Sequence, residues 1–261
     1  MRASSARRLA MSGFVAGALA AALAGAPAVS AQAGGGAPAS DRPGADGPEE
    51  VHLADDARSA ALADLAALDV CSASRAPSPE ADLQRLRTLY LLAVDDRPGL
   101  ERAWGAHLKL VTSIWARTPG GRAVVEGYRG ALIALEARHG FWPHARIRDL
   151  RQALDVLDGI VEASPSADEV RYLRLVSTAF LPGVLGRSGT VDADLEVLAR
   201  RLPEVTGRYP LRTWTAMADT VEELLEARGV EPGQEVRQAL GSARRAAIAA
   251  AIPLVPGCRV G

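Results

Sequence analysis

"VVEGYRGALIALEARHGFWPHARIRDLRQALDVLDGIV", Val124–Val161, decides the fold. Val125, Tyr128, Leu132 and Leu135 recur at steps of three and four, and so do Ile147, Leu150, Leu154, Leu157 and Val161. Each half therefore lays one apolar stripe along a helix. Between the halves stand Gly140, Phe141, Trp142 and Pro143; the glycine suits the end of one helix and the proline the start of the next. A connection this short sets the two helices antiparallel. Gly127, Gly130 and Ala134 add a strip of small residues that predicts close approach to a neighbouring helix. With no strand ahead of them, these glycines do not form a phosphate loop.

The same grammar extends outward. Leu100, Trp104, Leu108, Val111 and Trp115 make a further stripe, and "DDRPG", "TPGG" and "SPSAD" supply the breakers. Earlier and later segments predict helices near 53–69, 79–95, 168–181, 191–202, 211–228 and 234–250, about nine helices in all. No stretch alternates with period two. Hydrophobic residues make up 48% and aromatics only 4%, a composition of packed helices rather than of sandwiches or barrels. The expected fold is all-α: stacked antiparallel hairpins, as an α-solenoid or an irregular helical bundle.

The amino terminus reads as a secretion signal over residues 1–33, with Arg2, Arg7 and Arg8 ahead of "FVAGALAAALAGAPAV" and small residues in "VSAQA" for cleavage. Residues 34–50, rich in Gly, Pro, Ala and Asp, predict a flexible linker, and 51–261 a single helical domain. The expected destination is the periplasm or the exterior, with an amino-terminal anchor as the alternative if the signal is not cleaved. No later segment reaches the ~20 apolar residues of a membrane span. Of the 30 basic residues only Lys109 is a lysine, and removing the three signal arginines leaves 27 basic against 31 acidic side chains. A chain of that balance lacks the field that draws nucleic acid, so none is expected as a partner.

Chemistry is sparse. No G-x-S-x-G elbow, Walker loop or H-E-x-x-H occurs, so no catalytic residue is assigned; the alternative is an enzyme built from carboxylates brought together in space. Glu136 and His139 form one E-x-x-H unit, but carboxylate-bridged metal bundles need a second, and Gly140 to Pro143 break the helix before His144. No metal and no cofactor are expected, and His139 is read as a core histidine. Arg146, Arg148 and Arg151 decorate one helix and Arg171 and Arg174 the next, with Arg151 and Asp155 spaced for an i,i+4 ion pair. Residues off the stripes, Arg148, Arg151, Asp155, Arg171, Arg174 and Thr178, are the candidate face for a protein or peptide partner. The alternative is an anion or small-molecule pocket formed by Arg148, Arg151, Arg171, Arg174 and His139. At the joints, Pro143 is expected to open a helix covered by Phe141 and a buried Trp142. Pro165 precedes a capping box of Ser166 and Glu169. Cys71, just after the first expected helix, and Cys258 are a candidate disulfide in an exported chain.

Ala153, Leu157, Ile160 and Pro165, spaced four, three and five apart, resemble the second helix and turn of a tetratricopeptide repeat. Leu157 and Ile160 stand where that pattern has an aromatic and a small residue, and Ala137, Gly140-Phe141 and His144 occupy the first-helix signature positions. Half a repeat matches. The longer run through "SPSADEVRYLRL" and "FLPGVLGR" is similar to a group of bacterial proteins of helical-repeat character. The resemblance implies helical hairpins, fold more than activity. Together with the signal segment, the acidic balance and the missing catalytic motifs, it leads to the expectation of an exported, non-enzymatic scaffold that presents surface to a protein or peptide.

Overall fold

Ser78, Asp96 and Thr118 open three helices by one device. In the computed structural model each side chain accepts a hydrogen bond from a backbone N–H three residues on, from Ala81, Gly99 and Gly121, and a proline occupies the first or second helical position. Such caps satisfy donors that the first turn leaves free, and proline there lacks a donor that would go unused. The structure describes residues 55–74, 78–179, 181, 187–229 and 234–250. Among them are nine α-helices and no strand: α1 (Asp55–Ser74), α2 (Pro79–Ala93), α3 (Arg97–Val111), α4 (Pro119–His139), α5 (Pro143–Ala163), α6 (Asp168–Thr178), α7 (Ser188–Arg201), α8 (Leu211–Ala227) and α9 (Gln234–Ala250). Short 3-10 segments, Trp115–Arg117 and Leu202–Arg208, join α3 to α4 and α7 to α8. No helix among the described residues is long and apolar enough to cross a membrane.

Consecutive helices pair, most extensively α4 with α5 and α2 with α3. The small-residue strip sets the approach of α4 to its neighbours: a Cβ on Gly127 would lie 2.8 Å from Val170 Cγ2, and one on Gly130 2.9 Å from Leu157 Cγ. Two large apolar clusters result, with two small ones between α4 and α5. Leu65, Leu86, Leu100, Leu132 and Leu157 belong to the first, and Leu195, Leu198, Trp214, Met217 and Val221 to the second. They meet at α6, which gives Val170 and Leu173 to one and Tyr172, Leu175 and Val176 to the other. All eleven residues of α6 are buried. The positions that resemble a tetratricopeptide repeat fall as follows: Ala137 ends α4, Gly140 and Phe141 form the elbow, His144 begins α5, Ala153, Leu157 and Ile160 lie within α5, and Pro165 follows it.

Several local expectations are corrected. Ser166 does not cap α6: the residue before the helix is Ala167, with no side-chain cap bond, because Glu169 turns away to Arg87 and Tyr128. Phe141 and Trp142 are 84% and 62% exposed, so Trp142 is not the buried plug expected of it. The turn of Gly140, Phe141 and Trp142 is too short to fold the rings back onto a helix face, although Pro143 does open α5. His139 is half-buried rather than a core residue, and its Nε2 donates to the Ala93 carbonyl at 2.8 Å. Cys71 lies inside the last turns of α1, buried and without a free thiol; Cys258, the other end of the expected bridge, lies outside the described residues, as do the signal and linker segments.

Candidate functional site

Polar side chains gather in two places, one around α6 and one at the α4–α5 elbow. Around α6 the sequence puts charge on a helix that apolar residues bury on both sides, so each charge needs an internal partner. Glu169 takes both prongs of Arg87, at 2.7 Å from Nε and 2.6 Å from Nη2, and a hydrogen bond from the Tyr128 hydroxyl at 2.8 Å. Arg87 also stacks over the Tyr209 ring, 5.7 Å from its centroid. On the other side, fully buried Asp194 accepts from Arg171 Nη1 at 2.8 Å and from Arg174 Nε and Nη2 at 2.8 and 2.7 Å. Asp158 joins Arg174 to Arg187 at 3.0 and 2.5 Å. Arg201 pairs with Asp168 at 2.7 Å and reaches the Pro165 and Ser166 carbonyls at 3.3 Å.

The electrostatics follow from burial. Burial opposes the charge on Arg87, but the Glu169 carboxylate beside it wins and holds the guanidinium well above its ordinary pKa. Burial and then the Glu169 charge push Tyr128 up, and burial with Glu169 and Asp168 does the same to Tyr209, so both hydroxyls stay protonated. Burial raises Asp168, with Arg201, Arg208 and Arg171 pulling it back down. Apart from the buried Arg171 Nε, which has no hydrogen-bond partner, the charges of this cluster pair with one another across α2, α4, α5, α6 and α7, which makes it a clamp between helices.

Arg171, Arg174 and Thr178, expected on an outer face, are therefore internal. The arginines are 9% exposed, and the Thr178 hydroxyl donates to the Arg174 and Leu175 carbonyls of its own helix at 2.8 and 3.1 Å. A residue off one apolar stripe faces solvent only when the opposite side of the helix is free, and α7 covers that side. A sequence signal was present: Asp194 sits among Val191, Leu195 and Leu198, an aspartate inside an apolar stripe. Tyr128 stood in a core stripe and Asp158 was a carboxylate at hand for the arginines of α5 and α6, but nothing local pointed to Arg87, Arg187 or Arg201.

The elbow carries the other half of the expected set. Arg148, Arg151 and Asp155 lie on the outer face of α5 and, with His144, Ile147, Gln152 and Val156, line an open depression of about 570 Å³. Arg148 pairs with its neighbour Asp149 at 2.8 Å, whereas the Arg151–Asp155 pair is not formed among the described residues. Arg146 rests its stem against Gly140, and its Nε and Nη2 are buried with no hydrogen-bond partner; burial draws its pKa down. Phe141 and Trp142 stand edge to face, ring centroids 5.1 Å apart, with His144 6.2 Å from Trp142. The structure thus separates the residues of the expected anion pocket. Arg171 and Arg174 are neutralised inside, His139 is tied to α2, and Arg148 and Arg151 remain outside.

The chain is an all-α protein whose described residues hold a polar clamp inside and, at the α4–α5 elbow, two exposed rings with exposed arginines behind them. It matches no family model, no curated protein and no solved structure.

Proposed function

We propose that the chain is an exported, non-enzymatic helical scaffold that binds a protein or peptide partner through the outer face of α5. The observation that carries the reading is the open depression on that face. It combines an exposed apolar contact, Ile147, with cations at Arg148 and Arg151 and a carboxylate at Asp155. A surface of apolar contact rimmed by charge suits a partner chain, with the charges setting encounter rate and selectivity. Helical hairpins of the kind the sequence resembles present such faces side by side. The anion-pocket alternative keeps only Arg148 and Arg151 of its five residues. The test is affinity capture from the native envelope fraction with the wild-type chain and with R148E/R151E. The reading expects one or more captured proteins to disappear with the variant while its melting curve stays in place, since both arginines are exposed. Identical capture by the two chains refutes it, and binding of inorganic phosphate that the variant loses selects the anion pocket.

A further inference from the structure

We infer that the α4–α5 elbow is a contact for an anionic lipid surface, with Phe141 and Trp142 entering the headgroup region and the exposed Arg148 and Arg151 behind them meeting lipid phosphates. This contact shares Ile147, Arg148 and Arg151 with the partner-binding face of α5 but does not rest on that reading, because it is centred on Phe141 and Trp142.

Two large rings at adjacent positions are 84% and 62% exposed on a turn of three residues, and each props the other in an edge-to-face pair. Burying such rings inside the fold is the ordinary outcome for a chain with only seven phenylalanine and tryptophan residues. Here they project together at the outer end of a hairpin. Indole and phenyl rings on a convex tip suit the boundary between headgroups and acyl chains, where the ring is half desolvated and the indole N–H stays in contact with polar groups.

Charge selects the kind of surface. From Phe141 to Arg151 there are three arginines and a single carboxylate, Asp149, in a chain whose net charge is −1. That carboxylate pairs with Arg148, whose side chain is still 73% exposed, and Arg151 is exposed with no carboxylate partner among the described residues, whereas Arg146 keeps its Nε and Nη2 buried and stays out of the contact. Ile147, 38% exposed on the first turns of α5, continues the apolar edge between the rings and the exposed arginines. Rings at the tip, cations within two turns and an apolar side chain between them make the pattern of an interfacial contact, and a phosphate-bearing surface complements it.

The test uses the full chain with vesicles of brominated phosphatidylglycerol, in which bromine quenches indoles that enter the lipid, and with matched brominated phosphatidylcholine vesicles. Trp104, Trp115, Trp142 and Trp214 are the four indoles of the chain, so the component lost in W142F isolates the elbow whatever else holds the chain to lipid. The expected result is a quenched, blue-shifted component on phosphatidylglycerol that W142F removes and F141A reduces about tenfold. It should fall at high salt, as attraction to a charged surface does. No Trp142 component on phosphatidylglycerol, or equal quenching on phosphatidylcholine, overturns the inference. A blue shift of Trp142 that depends on protein concentration without vesicles assigns the elbow to a second copy of the chain instead.

Discussion

Arg87 and Glu169 lie 82 residues apart in the chain and meet in a two-pronged ion pair at 2.7 and 2.6 Å, which joins α2 to α6 inside the molecule. Glu169 is 3% exposed, so removing its charge strands a buried guanidinium. E169Q is expected to lower unfolding stability by about 3–5 kcal/mol in urea denaturation. Replacing both partners with apolar residues, R87M/E169L, is expected to cost less than E169Q alone, because no charge is then left unpaired.

Asp194 holds two arginines from a fully buried position. D194N keeps the shape and removes the charge, and a loss of about 3–5 kcal/mol is expected by chemical denaturation. R171E/R174E places carboxylates against Asp194 and Asp158 and is expected to abolish the folding transition in circular dichroism. A normal melting curve for that variant would return these arginines to the surface.

Trp142 and Trp214 make a matched comparison. Trp214 is fully buried in the second cluster, and its Nε1–H donates to the Leu202 carbonyl at 2.9 Å. W214A is expected to cost about 3–5 kcal/mol, and W142A about 0.5 kcal/mol or less, as for an exposed side chain. Equal shifts in melting temperature would contradict the exposure of the elbow.

Gly130 and Gly105 are both helical, and a methyl group at each meets different surroundings. At Gly105 nothing lies within 4 Å, and G105A is expected to stabilise by up to about 1 kcal/mol through helix propensity. At Gly130 the new Cβ lies 2.9 Å from Leu157 Cγ and 3.2 Å from Val156 Cγ1. Overpacking of about 1–3 kcal/mol then outweighs propensity, and G130A is expected to be destabilised. Opposite signs in thermal unfolding are the check.

His107 supplies a pH dependence. Burial lowers its pKa below 6.5, against the pull of its hydrogen bond to the Val125 carbonyl at 3.1 Å and of Glu126, while Arg129 lowers it further. The unfolded chain therefore takes up the proton first. The stability contribution is fully present above about 6.5 and is lost as the pH falls from there through the folded value. H107Q is expected to flatten the decline in unfolding free energy between neutral and mildly acid pH. A wild-type curve no steeper than the variant's would exclude this role.

Helix type and placement were legible in the chain because they rest on spacing within a few turns. The stripe from Ile147 to Val161 falls in α5, Pro143 opens that helix, and Gly127 and Gly130 mark close approaches that the structure contains. The exposed half of the candidate face, Arg148, Arg151 and Asp155, was legible for the same reason, since these residues lie opposite the apolar side of α5. Burial of Arg171, Arg174 and Thr178 was not legible. It depends on α7 closing over α6 and on Asp158 and Asp194 arriving from helices whose arrangement no local period encodes. Exposure of Trp142 was likewise decided in three dimensions: a large ring is usually buried for its area, but a turn of three residues between two helices gives it no wall to lie against. Local periodicity determined the apolar faces of α4 and most of α5 but not that of α3, where Leu108 and Val111 of the expected stripe are exposed while Ala103, His107 and Leu110 are buried. Tertiary packing decided which of the remaining faces meet water.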